Sequence, residues 1–443
     1  MRAEPLLAEA GRAAKETRNV NWSKPCIAKI GIGGLLGVVG CLLLLAAAPQ
    51  ARAAVPPRAT VDSVTVPVTL DHNRMLVQAE IQRRDGSWRT TLLWIDTGNP
   101  TMMLSEAFAR DLGIDLSGAR RTAETTFLRG PAPTGVRIGG MPLSLDGVEM
   151  TVLFDPQWML GTMHADGNLP STVLKRYQVV FDYPRRSLTL AQPGTLRPRG
   201  ERAPASVNPT TGIVQIDAVV GRDTLSIALD NGASYSFLSA GVVSRLAERN
   251  PGWPRTVGAV GCANMWGHLP EEPTWPIVRV PEMRWGPVRL ADVAVVGLPD
   301  YFPNGASLGD WYSRKAARPV AGFLGPNAFK AFRVEIDYAN GAVYFERGAA
   351  DDAHDLDIVG LTLQPQTDGS YQVIGVAAKD GRPSVVGVEP GDVLLEAGAL
   401  RVTGATMGTV VDALRGAPGD VRTLVLERAG RRFTVTARVE RFL

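Results

Sequence analysis

An internal duplication of roughly 140 residues restricts this chain's fold more than any other sequence feature. Val173-Leu174-Lys175-Arg176-Tyr177-Gln178-Val179-Val180-Phe181-Asp182-Tyr183 aligns without gaps to Ala328-Phe329-Lys330-Ala331-Phe332-Arg333-Val334-Glu335-Ile336-Asp337-Tyr338. Each stretch is followed by a short turn and another apolar strand, residues 187–190 and 342–345. The two beginnings match as well, Leu76-Val77-Gln78-Ala79-Glu80-Ile81 with Ile213-Val214-Gln215-Ile216-Asp217-Ala218. Between these ends an apolar strand runs into a turn in both copies, Leu92-Leu93-Trp94-Ile95-Asp96-Thr97-Gly98 and Leu225-Ser226-Ile227-Ala228-Leu229-Asp230-Asn231-Gly232. A short helical stretch follows each, residues 106–112 and 240–248. The remainder is strand-like and punctuated by Gly and Pro, so both copies are expected to be predominantly β. Two such units in tandem, 61–200 and 201–350, bring the two strand-end aspartates together across a pseudo-twofold axis.

Outside the repeat, residues 1–53 carry seven Arg and Lys against three Glu, which leaves the remainder of a +3 chain close to neutral at −1. A nearly neutral folded part has no electrostatic footprint for nucleic acid. Residues 30–48 form an apolar run, preceded by cations and followed by Ala51-Arg52-Ala53, the pattern of an export signal with a small-residue cleavage site. Uncut, the run is long enough for a single anchor helix with its cationic side inside. Val38-Val39-Gly40-Cys41 also has the look of a lipoprotein site, against which stand the leucines that follow it. The expected location is the periplasm or the outer face of the cytoplasmic membrane, with membrane contact only through this segment. Cys26 and Cys41 lie in it, so Cys262 is the one thiol of the folded part and no internal disulfide forms there.

Two carboxylates a few ångströms apart share one proton, so one serves as base toward a water while the other donates to a carbonyl oxygen. That chemistry calls for neither metal nor cofactor. A glycine after each turn permits close backbone approach, and the Thr97 hydroxyl is placed to fix the turn. Through Ile95-Asp96-Thr97-Gly98-Asn99, Leu229-Asp230-Asn231-Gly232-Ala233-Ser234 and Gly322-Phe323-Leu324-Gly325 the chain resembles the aspartic peptidases of the retropepsin and pepsin type, from about residue 61 to 347. The resemblance implies Asp96 and Asp230 as catalytic, Thr97, Gly98, Asn231 and Gly232 as turn support, Phe323, Leu324 and Gly325 as a supporting loop, and a peptide or protein substrate. Two positions depart from the family pattern. Asn231 stands where Thr or Ser is usual, and Gly167-Asn168-Leu169-Pro170 replaces the first copy's hydrophobic-hydrophobic-Gly element. Flaps are expected at residues 124–136 around Gly130 and at 260–273 around Trp266.

Residues 347–357 form a polar connector to a last unit, 356–443, that resembles a PDZ domain of bacterial envelope proteases through Val388-Glu389-Pro390-Gly391-Asp392-Val393-Leu394-Leu395, a helical stretch at 407–414, and strands at 423–428 and 432–439. PDZ domains take an extended peptide as an added strand. The resemblance implies Val359-Gly360-Leu361-Thr362-Leu363 as the loop for a ligand's C-terminal carboxylate and the Met407 helix as the other groove wall; the alternative is a domain that packs on the lobes. Arg428, Arg431, Arg432, Arg438 and Arg441 read as solvated strand faces. Gly305-Ala306-Ser307-Leu308-Gly309 fits a serine-hydrolase pattern without the strand that pattern needs. The four histidines lack metal-ligand spacing. Asp182 and Asp337 repeat inside strands and read as structural. The expected class is mainly β, two acid-protease-like lobes with a small α+β PDZ-like domain and an N-terminal signal or anchor helix. The expected function is an exported aspartic endopeptidase, with a non-catalytic peptide receptor or a PDZ scaffold as alternatives.

Overall fold

Alternating apolar positions in short strands make this a mainly β protein built from several sheets. The structure is a computed structural model that describes residues 61–118, 127–153, 159–261, 271–300 and 312–443. The N-terminal segment with Cys26 and Cys41, and Cys262, Trp266, His268 and Gly305 to Gly309, lie outside the described residues. Among the described residues no helix is long and apolar enough to cross a membrane, and no group of three or more His, Cys, Asp or Glu could hold a metal ion.

The strongest repeat pair lies at the centre. Strands Gln178–Asp182 and Phe332–Asp337 pair antiparallel with Val180 opposite Glu335, its own counterpart in the duplication. Equivalent residues facing each other in an antiparallel pair put a local twofold axis between them. On either side the order continues symmetrically, through Ser187–Ala191 to Ser63–Asp71 and through Ala342–Arg347 to Glu201–Pro204. Asp182 and Asp337 close the turns after their strands by accepting from Arg185 N (3.0 Å) and Asn340 N (3.1 Å), an equivalent structural task in both halves.

Each half then repeats one pattern. A hairpin, Arg74–Gln82 with Trp88–Asp96 and Val214–Val220 with Asp223–Leu229, leads to the aspartate. The second hairpin strand pairs parallel with a later strand that begins at a glycine, Gly167–Pro170 or Gly322–Leu324. Ser105 and Ser239 cap the helices Glu106–Asp111 and Ala240–Arg249 by accepting from Phe108 N and Val242 N. The ladders also correct the sequence alignment. Trp94 opposes Leu76, and Ala228, its counterpart, opposes Gln215, so the beginnings match two residues later than the residue types suggest. A shift of two keeps every side chain on its face, which is why the pattern tolerated the error.

The last unit wraps strands Leu361–Pro365, Tyr371–Val376, Val393–Ala397, Val421–Arg428 and Arg431–Arg438 around helix Met407–Leu414. Its core is continuous with the second half, joining Leu361, Val373 and Val410 to Tyr235, Phe237 and Phe323. The connector is pinned by Asp355, which pairs with Arg279 at 2.7 Å where both side chains are buried. Two of the closing arginines are not simply solvated. Arg428 holds the buried Asp392 with two bonds, at 2.6 and 2.9 Å, and Arg441 pairs with the buried Asp357 at 3.1 Å.

Candidate active site

Asp96 ends strand Trp88–Asp96, and Asp230 follows strand Asp223–Leu229 directly. The parallel neighbour of each strand fixes its end: Ile95 lies opposite Leu169, Leu229 lies opposite Leu324, and Asp230 N donates to Leu324 O at 3.0 Å. Phe323, Leu324 and Gly325 therefore stand behind the second aspartate. A side chain at Gly325 would strike Tyr235 O at 2.3 Å, so this approach requires glycine.

The two turns interlock. A Cβ on Gly98 would lie 2.2 Å from Asp230 Cγ, and one on Gly232 would lie 2.5 Å from Asp96 Oδ1. Each glycine of one half thus packs on the carboxylate of the other, which brings both acids to one place. Thr97 Oγ1 accepts from Asn231 N at 2.8 Å and faces Leu229 O at 3.1 Å and Asn231 Oδ1 at 3.2 Å. Asn231 completes the link by donating from Nδ2 to Tyr183 Oη at 2.9 Å. The departure at 231 therefore keeps the bonds between halves and adds an anchor in the central sheet's turn.

Both acids are nearly inaccessible, Asp96 3 % and Asp230 9 % exposed. Burial, aided by the neighbouring charge of Asp230, pushes the Asp96 carboxyl up to about 8. Burial pushes Asp230 up to about 6, opposed by the backbone N–H groups of Gly232, Ala233 and Gly98. Between those values the pair holds one proton. Two further residues feel this charge. Tyr312 is buried against Phe323, ring centroids 5.4 Å apart, and burial together with both aspartates raises its hydroxyl well above the usual range. Burial lowers the Lys315 ammonium to about 8, while Asp96 favours its charge.

Sequence reasoning missed Tyr183, Tyr312 and Lys315, and it misjudged Asn168. Tyr183 was visible only as the end of the repeat, and nothing local to Tyr312 or Lys315 marks them. Asn168 registered as a disruption of a supporting loop, yet it is fully buried and donates from Nδ2 to Asp96 Oδ2 at 3.2 Å. Pro170, in Gly325's place, stands at the N-cap of the helix Ser171–Leu174 in extended conformation.

Gly130, of the expected 124–136 flap, lies in Phe127–Pro131, an edge strand paired to Glu149–Leu153 with Gly130 opposite Met150. One expectation needs correction. The proposed carboxylate loop is filled by the protein itself. Gly360, at φ +88°, has Phe442, Ser384 and Ala377 where a side chain would go, and its carbonyl accepts from Ala377 N at 2.9 Å. Leu361, Thr362 and Leu363 are fully buried. The Thr362 hydroxyl donates to Gly258 O at 2.7 Å, and a Cβ on Gly261 would lie 1.8 Å from Leu361 O. Segment Gly258–Val260 of the second half therefore covers the strand edge that an added peptide would use. Of the 260–273 flap, both described ends lie against this domain: Gly261 meets Leu361, and Pro273 meets Gly375. Compared with known protein families and with curated proteins, the chain matches none.

Proposed function

We propose that this protein is an aspartic-type endopeptidase whose two half-sites meet at Asp96 and Asp230. One observation carries the reading: each turn glycine packs directly on the opposite half's carboxylate, so the two buried acids share one site and one proton. Asp230, surrounded by backbone N–H donors, holds the charge; Asp96 holds the proton. Asp230 takes a proton from a water as its oxygen bonds to the peptide carbon, and Asp96 gives its proton to the carbonyl oxygen. The resulting diol collapses when the amide nitrogen gains the proton from Asp230 and Asp96 recovers one from a hydroxyl. The C–N bond breaks and releases an amine and a carboxylic acid. Because Asn231 ties the second turn to the first half, through Thr97 and Tyr183, the catalytic reading is preferred to a peptide receptor.

The C-terminal unit we read as a PDZ-like domain acting as a brace, since its strand edge is taken in cis. Export rests on the N-terminal sequence pattern alone. The test is a peptide-library digest across pH 4 to 9 with purified protein, Asp96→Asn and Asp230→Asn. Cleavage by the parent, lowered by about 10²–10⁴-fold in each variant, supports the dyad. Cleavage that survives either substitution removes the mechanism, and saturable peptide binding without cleavage favours the receptor.

A further inference from the structure

The two halves surround their acids with different chemistry, and the difference traces to one pair of strand positions. In the second half Ala228 lies opposite Phe323; in the first, Trp94 lies opposite Asn168. Phe323 stacks with Phe237 (5.2 Å) and Tyr312 (5.4 Å), so Asp230 is backed by rings and receives its hydrogen bonds from backbone. Asp96 instead receives a side-chain amide.

The orientation of that amide is fixed by what it touches. Asn168 Oδ1 accepts from Met103 N at 2.6 Å, which leaves Nδ2 facing two acceptors, Asp96 Oδ2 and Thr101 O, each at 3.2 Å. A flipped amide would oppose donor to donor at Met103. The other Asp96 oxygen, Oδ1, accepts from Gly98 N at 3.2 Å and is the atom Gly232 packs on. Oδ2 therefore points away from the second half, and Oδ1 toward it.

We infer that Asn168 is the positioning residue that makes the dyad unsymmetrical: its amide ties Asp96 Oδ2 and leaves Oδ1, beside the second turn, to carry the shared proton. A donor on the outer oxygen steadies the carboxylate form of Asp96. Burial makes this acid weak enough to hold a proton, and the Asn168 bond, working against burial, leaves it strong enough to give the proton up. The inference rests on the peptidase reading for its catalytic meaning, but not for its measurement.

The experiment titrates 13Cγ-aspartate-labelled protein by NMR, the Asp96 signal being identified by its loss in Asp96→Asn. Asn168→Leu removes the donor at similar volume. Asn168→Ala removes the donor without adding a charge and serves if the leucine variant does not fold. In either, the Asp96 step should move upward by about one pH unit or more. The basic limb of kcat/KM for peptide cleavage should move with it, while KM changes little. An Asp96 step that stays in place or moves down overturns the inference, even if the variant melts at a lower temperature. If the step moves as expected and the parent cleaves nothing at any pH, the positioning role stands and the peptidase reading falls.

Discussion

Gly98 and Gly232 meet a steric demand set by the site itself, since any side chain at either would overlap the opposite carboxylate. Gly98→Ala should abolish cleavage and lower the melting temperature together, because the turns must part to admit one methyl group; activity and thermal melts on the same preparation check this. The raised acids set the pH response. Activity needs one proton on the pair, so kcat/KM should be bell-shaped, rising as Asp230 ionises near 6 and falling as Asp96 ionises near 8. Stability follows a separate sign. Asp96 keeps its proton when folded but loses it near 3.8 when unfolded, so its contribution is fully present below that pH and is lost as pH rises toward about 8. Asp96→Asn should therefore melt higher than the parent at pH 8, with the gap closing toward pH 4. Asp96, Thr97, Asp230 and Asn231 were legible because the duplication repeats their context. Asn168 was not legible as a partner, because its bond to Asp96 spans 72 positions and asparagine in a strand carries no local mark.

Helix Met407–Leu414 was expected from the PDZ-like pattern of the last unit, and its docking was not. Thr406 caps it by accepting from Thr409 N at 3.2 Å, and Asp71, at the end of strand Ser63–Asp71, accepts from Gly408 N at 3.1 Å and from the Thr406 hydroxyl. The partner lies more than 330 positions away, beyond any local pattern. A carboxylate at a helix start favours the exposed N–H groups and the positive end of the dipole. Asp71→Ala should cost about 1–2 kcal/mol. Faster hydrogen exchange in residues 407–414, with the central sheet unchanged, is the expected signature. The closing strands show the same limit: their positions followed from the PDZ-like pattern, but Arg428 took a buried partner in Asp392 that lies 36 positions earlier.

At the scale of the molecule the division at 347–357 was visible as a polar stretch, but the cores do not respect it. One apolar cluster runs through both halves of the duplication, and a second joins the later half to the C-terminal unit. A chain ending at residue 348 should expose Tyr235 and its neighbours, melt lower and self-associate, which melting curves and light scattering would report; a soluble truncation as stable as the parent would contradict a shared core. The C-terminal unit is also attached at both ends of the duplication, to the first half through Asp71 and to the second through Gly258 and Gly261. Two bodies joined along one sheet and at one pair of turns can still flex like the covers of a book about its spine. A third body fastened to both covers turns that flexing into a strained motion, so any widening between the halves has to loosen one of these two remote joints first.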